Sequence, residues 1–344
     1  MLTAKERENR ERLRLNKPKV YDKVIRYEER LAKGESCAVI QIQYDYLCNF
    51  ACEHCSISTF QQSNTGRRLD PASIKMFCDQ ADEYGLAQID LSGGEPLAFK
   101  DLEEVIKAID PSRFFLQVDT NGYMMTDTRV KWLKELGVDK IQIGFDSFIE
   151  SEHDAFRNKP GSYKKILTAI ENIRRHGLIL QFATVVTPQR LRTQEFDDYL
   201  TFADACGARV NVLMPKLSGE WEGRLDLLYT QEDTDLLNEI LERHEDAGWR
   251  LTKRHGVDLG CGAVKRIISL TGHGDILPCI WMYFSLGNIF DTPLREILEK
   301  GMKYFGDYEP VCLVSMSEQF NKERIFKTYD APHVPVPIEE IFND

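Results

Sequence analysis

The sequence predicts an α/β protein: a partial (β/α)6 parallel barrel followed by a small C-terminal α+β extension. Three observations lead there. Between residues 38 and 214, strand-like and helix-like stretches alternate repeatedly, which favours a parallel sheet with right-handed crossovers. The strands alternate apolar and polar residues, whereas a parallel sheet covered on both faces reads apolar throughout. Candidate functional residues fall just after the strands, where parallel α/β folds place their sites.

Strands are expected at 39–44, 87–91, 114–119, 140–146, 178–186 and 209–213, and helices at 70–84, 101–108, 127–136, 163–176 and 193–205. Asp70-Pro71 fits a helix cap followed by proline, and Gly85, Gly137 and Gly177 stand where helices should stop. In the fourth strand Ile141, Ile143 and Phe145 share one face, and Gln142, Gly144 and Asp146 the other. Ile89 and Leu91 oppose Gln88, Asp90 and Ser92; Leu116 and Val118 oppose Gln117 and Asp119; Val210 and Val212 oppose Asn211. Helices pack the apolar face. A sheet curved around a polar lumen accounts for the other, and a flat sheet with one wet face is the plainer alternative.

The chain has 344 residues and a net charge of -11, which argues against a nucleic-acid-binding surface. No apolar run approaches the ~20 residues of a membrane span, and the N-terminus lacks the apolar core of a signal peptide. A cytoplasmic location is expected, where the nine cysteines read as metal or redox ligands rather than disulfides. The expected organisation is an N-terminal helical arm at 1–37, the barrel at 38–215, a connecting helical segment at 216–256, the extension at 257–328 and a Pro-rich tail at 329–344. Residues 5–33 interleave both charge signs and read as a solvated helix or frayed arm.

The chemistry begins after the first strand. Cys48, Cys52 and Cys55 stand at the spacing Cys-x3-Cys-x2-Cys. Thiolates this close can converge on one iron–sulfur cluster or a zinc ion. Three of them on a four-iron cluster leave one iron open to a small molecule. The second strand ends in Gly93-Gly94-Glu95-Pro96. Paired glycines let backbone approach a ligand closely, and the carboxylate can accept hydrogen bonds from an ammonium group.

Together these two motifs resemble those of the radical S-adenosylmethionine (SAM) superfamily. The resemblance implies a 4Fe-4S cluster on Cys48, Cys52 and Cys55, its open iron chelated by the amino and carboxylate groups of SAM. It places His54 at the aromatic-type position before the third cysteine. Gly93, Gly94 and Glu95 would hold SAM's amino group, Asn121 of Thr120-Asn121-Gly122 would lie near SAM, and Asp146 and Ser147 would contact its ribose. The serine usual two residues before that aspartate is Gly144 here. Arg157 and Pro160-Gly161-Ser162-Tyr163 resemble the family's segment after strand four, with a loop and helix cap as the plainer reading. Cys78 and Cys206 read as packing residues, and Cys37 has no assigned role.

Residues 216–257 read as a connection with a helix at 232–247, whose wet face carries Glu239, Glu242, Glu245 and Asp246. Beyond it, glycine between short apolar runs reads as a β-hairpin that brings Cys261 and Cys279 together. Gly287-Asn288, a helix at 293–298 and Cys312 follow. This order resembles the twitch extension, the shortened form of SPASM, and implies a second, auxiliary 4Fe-4S cluster on Cys261, Cys279 and Cys312. Its remaining iron would be open or held by a residue such as His333 or Asp330. Cys312 as a hydrogen-atom donor and a zinc site are the other readings. In the tail, prolines enforce extension, and Ile338, Ile341 and Phe342 are expected to pin it to the barrel.

The resemblance spans roughly 40–313 and implies an oxidoreductase-like radical SAM enzyme. An electron from a ferredoxin- or flavodoxin-type donor would cleave SAM to methionine and a 5′-deoxyadenosyl radical, which takes hydrogen from a substrate in the lumen. The auxiliary cluster would accept a second electron or position the substrate, giving a net oxidation or rearrangement. The polar lumen favours a polar small molecule, sugar- or nucleotide-like. The short stretch before the first strand leaves little room for a leader-peptide module, so a maturase of ribosomally made peptides is the alternative. A metal scaffold without turnover is the third reading, opposed by the Gly-Gly-Glu-Pro motif.

Overall fold

The computed structural model describes residues 4–52, 54–57, 66–218, 221–249, 260–307 and 309–342. Strands β1 (Val39–Gln43), β2 (Gln88–Ser92), β3 (Phe115–Thr120), β4 (Lys140–Gly144), β5 (Ile179–Val185) and β6 (Arg209–Leu213) lie side by side in sequence order, all parallel. Short elements lengthen this sheet at both edges. β7 (Ala247–Gly248) pairs parallel with β6, and β8 (Ile267–Leu270) pairs parallel with β1. β9 (Asp275–Leu277) returns antiparallel to β8. β10 (Phe284–Ser285) leaves the sheet, and β11 (Gly287–Asn288) rejoins it antiparallel to β9. The result is an open ten-stranded sheet, a partial barrel with a C-terminal α+β segment. The expected hairpin is present, and it continues the main sheet from the β1 edge.

The strand alternation builds the layers as expected. Ile42, Leu91, Val118 and Ile143 are fully buried in one core beneath the helices, each contributing roughly 2 kcal/mol of apolar burial. The helix Pro71–Tyr84 starts with a reciprocal cap: Asp70 Oδ1 accepts from the Ser73 amide at 2.7 Å, and Ser73 Oγ accepts from the Asp70 amide at 2.8 Å. Among the described residues no helix is long and apolar enough to cross a membrane.

Three regions differ from expectation. The helix expected at 232–247 runs only Gln231–Leu241, because the chain then turns to lay β7 beside β6, with the Asp246 carbonyl accepting from Val210 at 2.9 Å. Glu239, Glu242 and Glu245 are exposed, but Asp246 is half-buried and borders the lumen. A periodic reading carried the helix past this turn because the charge pattern does not break there.

The N-terminal arm is three largely exposed helices rather than one, and some of its cations reach back to the barrel. Helices Ala4–Asn16, Pro18–Ile25 and Tyr27–Ala32 cross the floor of the barrel. Three cations, six or seven residues apart, hold the loops that lead into β2, β3 and β4. Arg30 donates to the carbonyls of Tyr84 and Gly85, each at 2.8 Å. Lys23 donates to those of Leu86 and Arg113 at 2.8 and 2.9 Å and pairs with Asp82. Lys17 reaches Phe114, Gly137 and Asp139. Charge-assisted hydrogen bonds to half-buried carbonyls are among the stronger ones. Lys23→Met is therefore expected to destabilise the fold by about 2 kcal/mol in urea denaturation, whereas the exposed neighbour Lys19 is expected to tolerate the same change.

The tail docks on the extension. β12 (Val336–Pro337) pairs with β10, Ile338 and Ile341 are buried, and the Phe342 ring meets Phe284 and Phe305 at 6.0 and 5.8 Å. His333 and Asp330 are exposed and border no part of the lumen cavity, so the structure does not bring either to the second cysteine trio.

Candidate active site

The cysteine loop leaves the C-terminal end of β1 and is held against the end of β2 by backbone alone. The Gly94 amide donates to the Asp45 carbonyl at 2.7 Å, and the Glu95 amide to the Leu47 carbonyl at 2.8 Å. A Cβ at Gly93 would lie 2.2 Å from the Asp45 carbonyl oxygen, and one at Gly94 would lie 2.1 Å from that of Leu47. The paired glycines were expected to admit a ligand. In the structure they admit the chain's own segment leading into the cysteines.

Glu95 locks the next strand end. It is 1% exposed and accepts from the Thr120 hydroxyl and the Leu97 amide on Oε1, and from the Asn121 amide on Oε2. Burial raises its pKa against these three donors. A carboxylate offers about four acceptor positions, so one remains on Oε2. Asn121 reaches back, its Nδ2 donating to Asn49 Oδ1 at 2.7 Å. The ends of β2 and β3 and the cysteine loop thus form one hydrogen-bonded unit.

Within the loop Cys48, Cys52 and Cys55 are half-buried. The Phe50 amide lies 3.4 Å from Cys48 Sγ, and the Cys55 amide donates to the Cys52 carbonyl at 3.2 Å. Burial pushes the free Cys48 thiol up to about 11, so loading a metal centre there releases protons. The His54 ring stacks on Phe156 at 4.5 Å and 9°, with Trp221 at 6.1 Å. Burial pushes its pKa down to about 4, so the ring is neutral at pH 7. Its Nδ1 is buried with no partner.

The end of β4 carries a buried ion pair. Asp146 is 5% exposed; Arg157 Nε donates to its Oδ2 at 2.6 Å, and the Val185 amide donates to its Oδ1 at 3.0 Å. Burial favours the neutral acid, but the Arg157 guanidinium and neighbouring donors outweigh it and hold the carboxyl below its ordinary range. Arg157 Nη1 also lies 4.0 Å from Cys52 Sγ. Gly144 makes this possible, since a Cβ there would stand 2.4 Å from Arg157 Nη2. The space of the family's usual serine is filled by guanidinium. Sequence reasoning left Arg157 unassigned; the paired signal was a missing side chain at 144 and an arginine in the following helix turn.

Ser147 is spent on the turn: its hydroxyl donates to Glu152 at 2.9 Å and accepts from the Ile149 amide at 3.1 Å. Pro160-Gly161-Ser162-Tyr163 is a helix start closed by Asp154, which accepts from Gly161, Ser162 and Tyr163. Lys159 Nζ, unmentioned at the sequence level, donates to the Asn49 carbonyl at 3.3 Å and faces the Phe50 and Tyr123 rings.

A cavity of about 410 Å³ fills the lumen below these residues. Gln41, Asp90, Gln117, Asp119, Gln142 and Asn211 border it, so the polar strand face lines a half-open chamber rather than a flat wet surface. Cys261, Cys279 and Cys312 border the same chamber. Burial, with the neighbouring Cys312 and Cys279 thiols, pushes Cys261 up to about 12. Trp281 lies there with Lys216 Nζ 4.5 Å from its ring centre. Among the described residues no three His, Cys, Asp or Glu side chains converge as a single metal ion requires.

A parallel partial barrel with a three-cysteine loop after β1 and a braced glycine pair after β2 defines a radical SAM domain. Residues 45–200 match the profile of the Radical SAM superfamily, and the protein is a SAM-cleaving enzyme. It is 24% identical over 302 residues to the AdoMet-dependent heme synthase of Oleidesulfovibrio alaskensis, covering 79% of this chain and 77% of that one. It is 25% identical over 266 residues to the PqqA peptide cyclase of Gluconobacter oxydans, 73% of each. Both alignments run well beyond the length of the family match. The crystal structure of Streptococcus suis SuiB bound to precursor peptide SuiA superposes with a TM-score of 0.61 at 14% identity, covering 81% of this chain and 69% of that one, a likeness of fold.

Proposed function

We propose that the chain uses Cys48, Cys52 and Cys55 to hold a 4Fe-4S cluster at the upper end of the lumen, and Cys261, Cys279 and Cys312 to hold an auxiliary 4Fe-4S cluster at the other. The substrate is a polar small molecule, sugar- or nucleotide-like, lying between them. The observation that carries this reading is the half-open chamber lined by the polar strand face and bordered by the second cysteine trio, with the first trio just beyond the strand ends. With cluster and SAM bound, the centre supplies a 5′-deoxyadenosyl radical. The chain's residues orient and shield. Glu95 keeps one acceptor position for SAM's ammonium beside Asn121, and Gly93 and Gly94 seat the cysteine loop next to it. Asp146 is held as a carboxylate by Arg157, whose charge also faces Cys52. His54 is a neutral strut behind the loop. The walls exclude water and stray hydrogen donors. The expected electron source is a ferredoxin- or flavodoxin-type protein, and the outcome is a net oxidation or rearrangement.

Likeness to a peptide cyclase over 73% of the chain supports a second reading, a peptide maturase. A chamber of about 410 Å³ is the size that holds a small molecule and favours the first.

Anaerobic reconstitution tests the proposal. Two clusters correspond to about eight irons per chain, and reduction with dithionite is expected to release methionine and 5′-deoxyadenosine. Cys279→Ala and Cys312→Ala are each expected to lose about half the iron while keeping SAM cleavage. A colourless protein with one zinc per trio defeats the cluster reading, and full iron in Cys312→Ala removes that cysteine from the ligand set.

A further inference from the structure

The outer side of the cysteine loop carries residues that the lumen does not use. Phe50 stands between Cys48 and Cys52 and is half-buried, and its ring meets Tyr123 edge to face at 5.7 Å. Lys159 Nζ lies 5.6 Å from the Phe50 ring centre and 5.3 Å from that of Tyr123. Lys165 Nζ lies 5.9 Å from the Tyr123 ring centre. Leu47, on the same loop, and Ile149, on the loop after β4, are 55% and 38% exposed. None of these residues borders the lumen cavity, so substrate binding there does not account for them.

The group is fixed before any partner arrives. Lys159 donates to the Asn49 carbonyl, Asn121 Nδ2 to Asn49 Oδ1, and the Tyr123 amide to Asn121 Oδ1. Little ordering therefore remains to be done on binding. Aromatic rings and exposed apolar side chains inside a charged rim have the composition of a protein interface. The charge is local and positive. Neither Lys159 nor Lys165 has a carboxylate partner among the described residues. The acids of the loop after β4 are engaged: Glu150 pairs with Lys164 at 3.0 Å, Glu152 accepts from Ser147, and Asp154 closes the helix start. Glu53 lies outside the described residues. The chain as a whole carries a charge of -11, so an acidic partner is repelled by most of the surface and steered to where cations gather.

We propose that this face docks an acidic one-electron carrier protein, the reductant of the centre on Cys48, Cys52 and Cys55. The claim rests on that trio holding the cluster. One electron leaves the reduced carrier and enters the centre, and no bond is made or broken in the transfer. Electron transfer slows steeply with distance, and Phe50 is two residues from each of two ligands. Lys159 and Lys165 meet carboxylates of the carrier, and Leu47, Phe50 and Tyr123 form the apolar middle of the contact.

The test uses anaerobically reconstituted protein, an acidic flavodoxin as the carrier and a basic cytochrome c for contrast. Binding is read by isothermal titration calorimetry, contact by carbodiimide cross-linking, and SAM cleavage by 5′-deoxyadenosine release. Saturable flavodoxin binding is expected, weakened at least about tenfold between roughly 0.05 and 0.5 M salt. Cross-links are expected at Lys159 or Lys165, and no saturable binding of cytochrome c. Lys165→Glu is expected to weaken flavodoxin binding about tenfold and to slow flavodoxin-driven cleavage, while dithionite-driven cleavage is unchanged. Lys19→Glu, the same charge change at an exposed position on the arm, is expected to alter neither. No saturable flavodoxin binding, unchanged affinity in Lys165→Glu, cross-links confined to other lysines, or a second copy of the chain covering this face in solution overturns the proposal. The cross-links are read on the unaltered protein and decide even if Lys165→Glu does not fold. Dithionite-driven cleavage without flavodoxin binding defeats the docking face alone. Flavodoxin bound at these lysines while no reductant yields 5′-deoxyadenosine defeats the functional reading and leaves the face standing.

Discussion

Gly94→Ala is expected to strip the cysteine loop of its cluster and lower SAM cleavage at least about 100-fold, the scale of a displacement near 1 Å at reacting groups. The added Cβ would lie 2.1 Å from the Leu47 carbonyl oxygen and 2.8 Å from the Tyr46 carbonyl carbon. Both are backbone atoms and cannot swing aside as a side-chain end would. Relief requires separating the two segments, which breaks the Gly94–Asp45 and Glu95–Leu47 backbone hydrogen bonds. Two such bonds with strain amount to about 3 kcal/mol. Glu95 moves with its amide, and its links to Thr120 and Asn121 loosen. Iron content, 5′-deoxyadenosine release and urea denaturation read the three consequences. Gly207→Ala is the control: nothing lies within 4 Å of its Cβ position although its φ is +67°, so backbone strain alone is expected, with iron retained. Normal iron and rate in Gly94→Ala would show that the close approach is not what seats the loop.

Asp146→Asn is expected to cost about 3–5 kcal/mol, the usual penalty for leaving one buried charge without its partner. Arg157 is 11% exposed by side chain and Asp146 5%, so water cannot replace the lost carboxylate. Folding holds the carboxyl below its ordinary pKa. The pair's contribution is therefore present above about pH 4, the unfolded value, and is lost as pH falls through the lower folded value. Asp146→Asn is expected to flatten that acid limb of the stability profile. Gly144→Ser attacks the same pair from the other side by occupying the guanidinium's space. Adding Arg157→Gln to Gly144→Ser is expected to recover part of the loss, a coupling that a double-mutant cycle measures. Additive costs would mean that Gly144 and Arg157 do not share one space.

Much of the architecture was legible because it depends on short-range periodicity. The period-2 alternation of Ile141, Ile143, Gln142 and their counterparts separates core from lumen without reference to any partner strand. Asp70, Gly85 and the hairpin glycines mark ends by local backbone chemistry. The cysteine trio and Gly93-Gly94-Glu95-Pro96 are contiguous, so their chemistry is written in spacing. Asp246 was misplaced because β7 is two residues long and leaves no periodic trace. The arm's hold on the barrel went unread because Lys17, Lys23 and Arg30 look like any solvated charges until their carbonyl acceptors, 54 to 120 residues away, are known.

Residue order and spacing suffice to define the barrel, its polar interior and two sets of three thiols. Three-dimensional packing alone decided that the glycine pair receives the chain's own backbone and that Arg157 fills the void at Gly144. The division has a physical cause. Periodicity and turn chemistry act between residues a few positions apart, whereas steric exclusion and hydrogen-bond direction depend on which distant atoms the fold brings into contact.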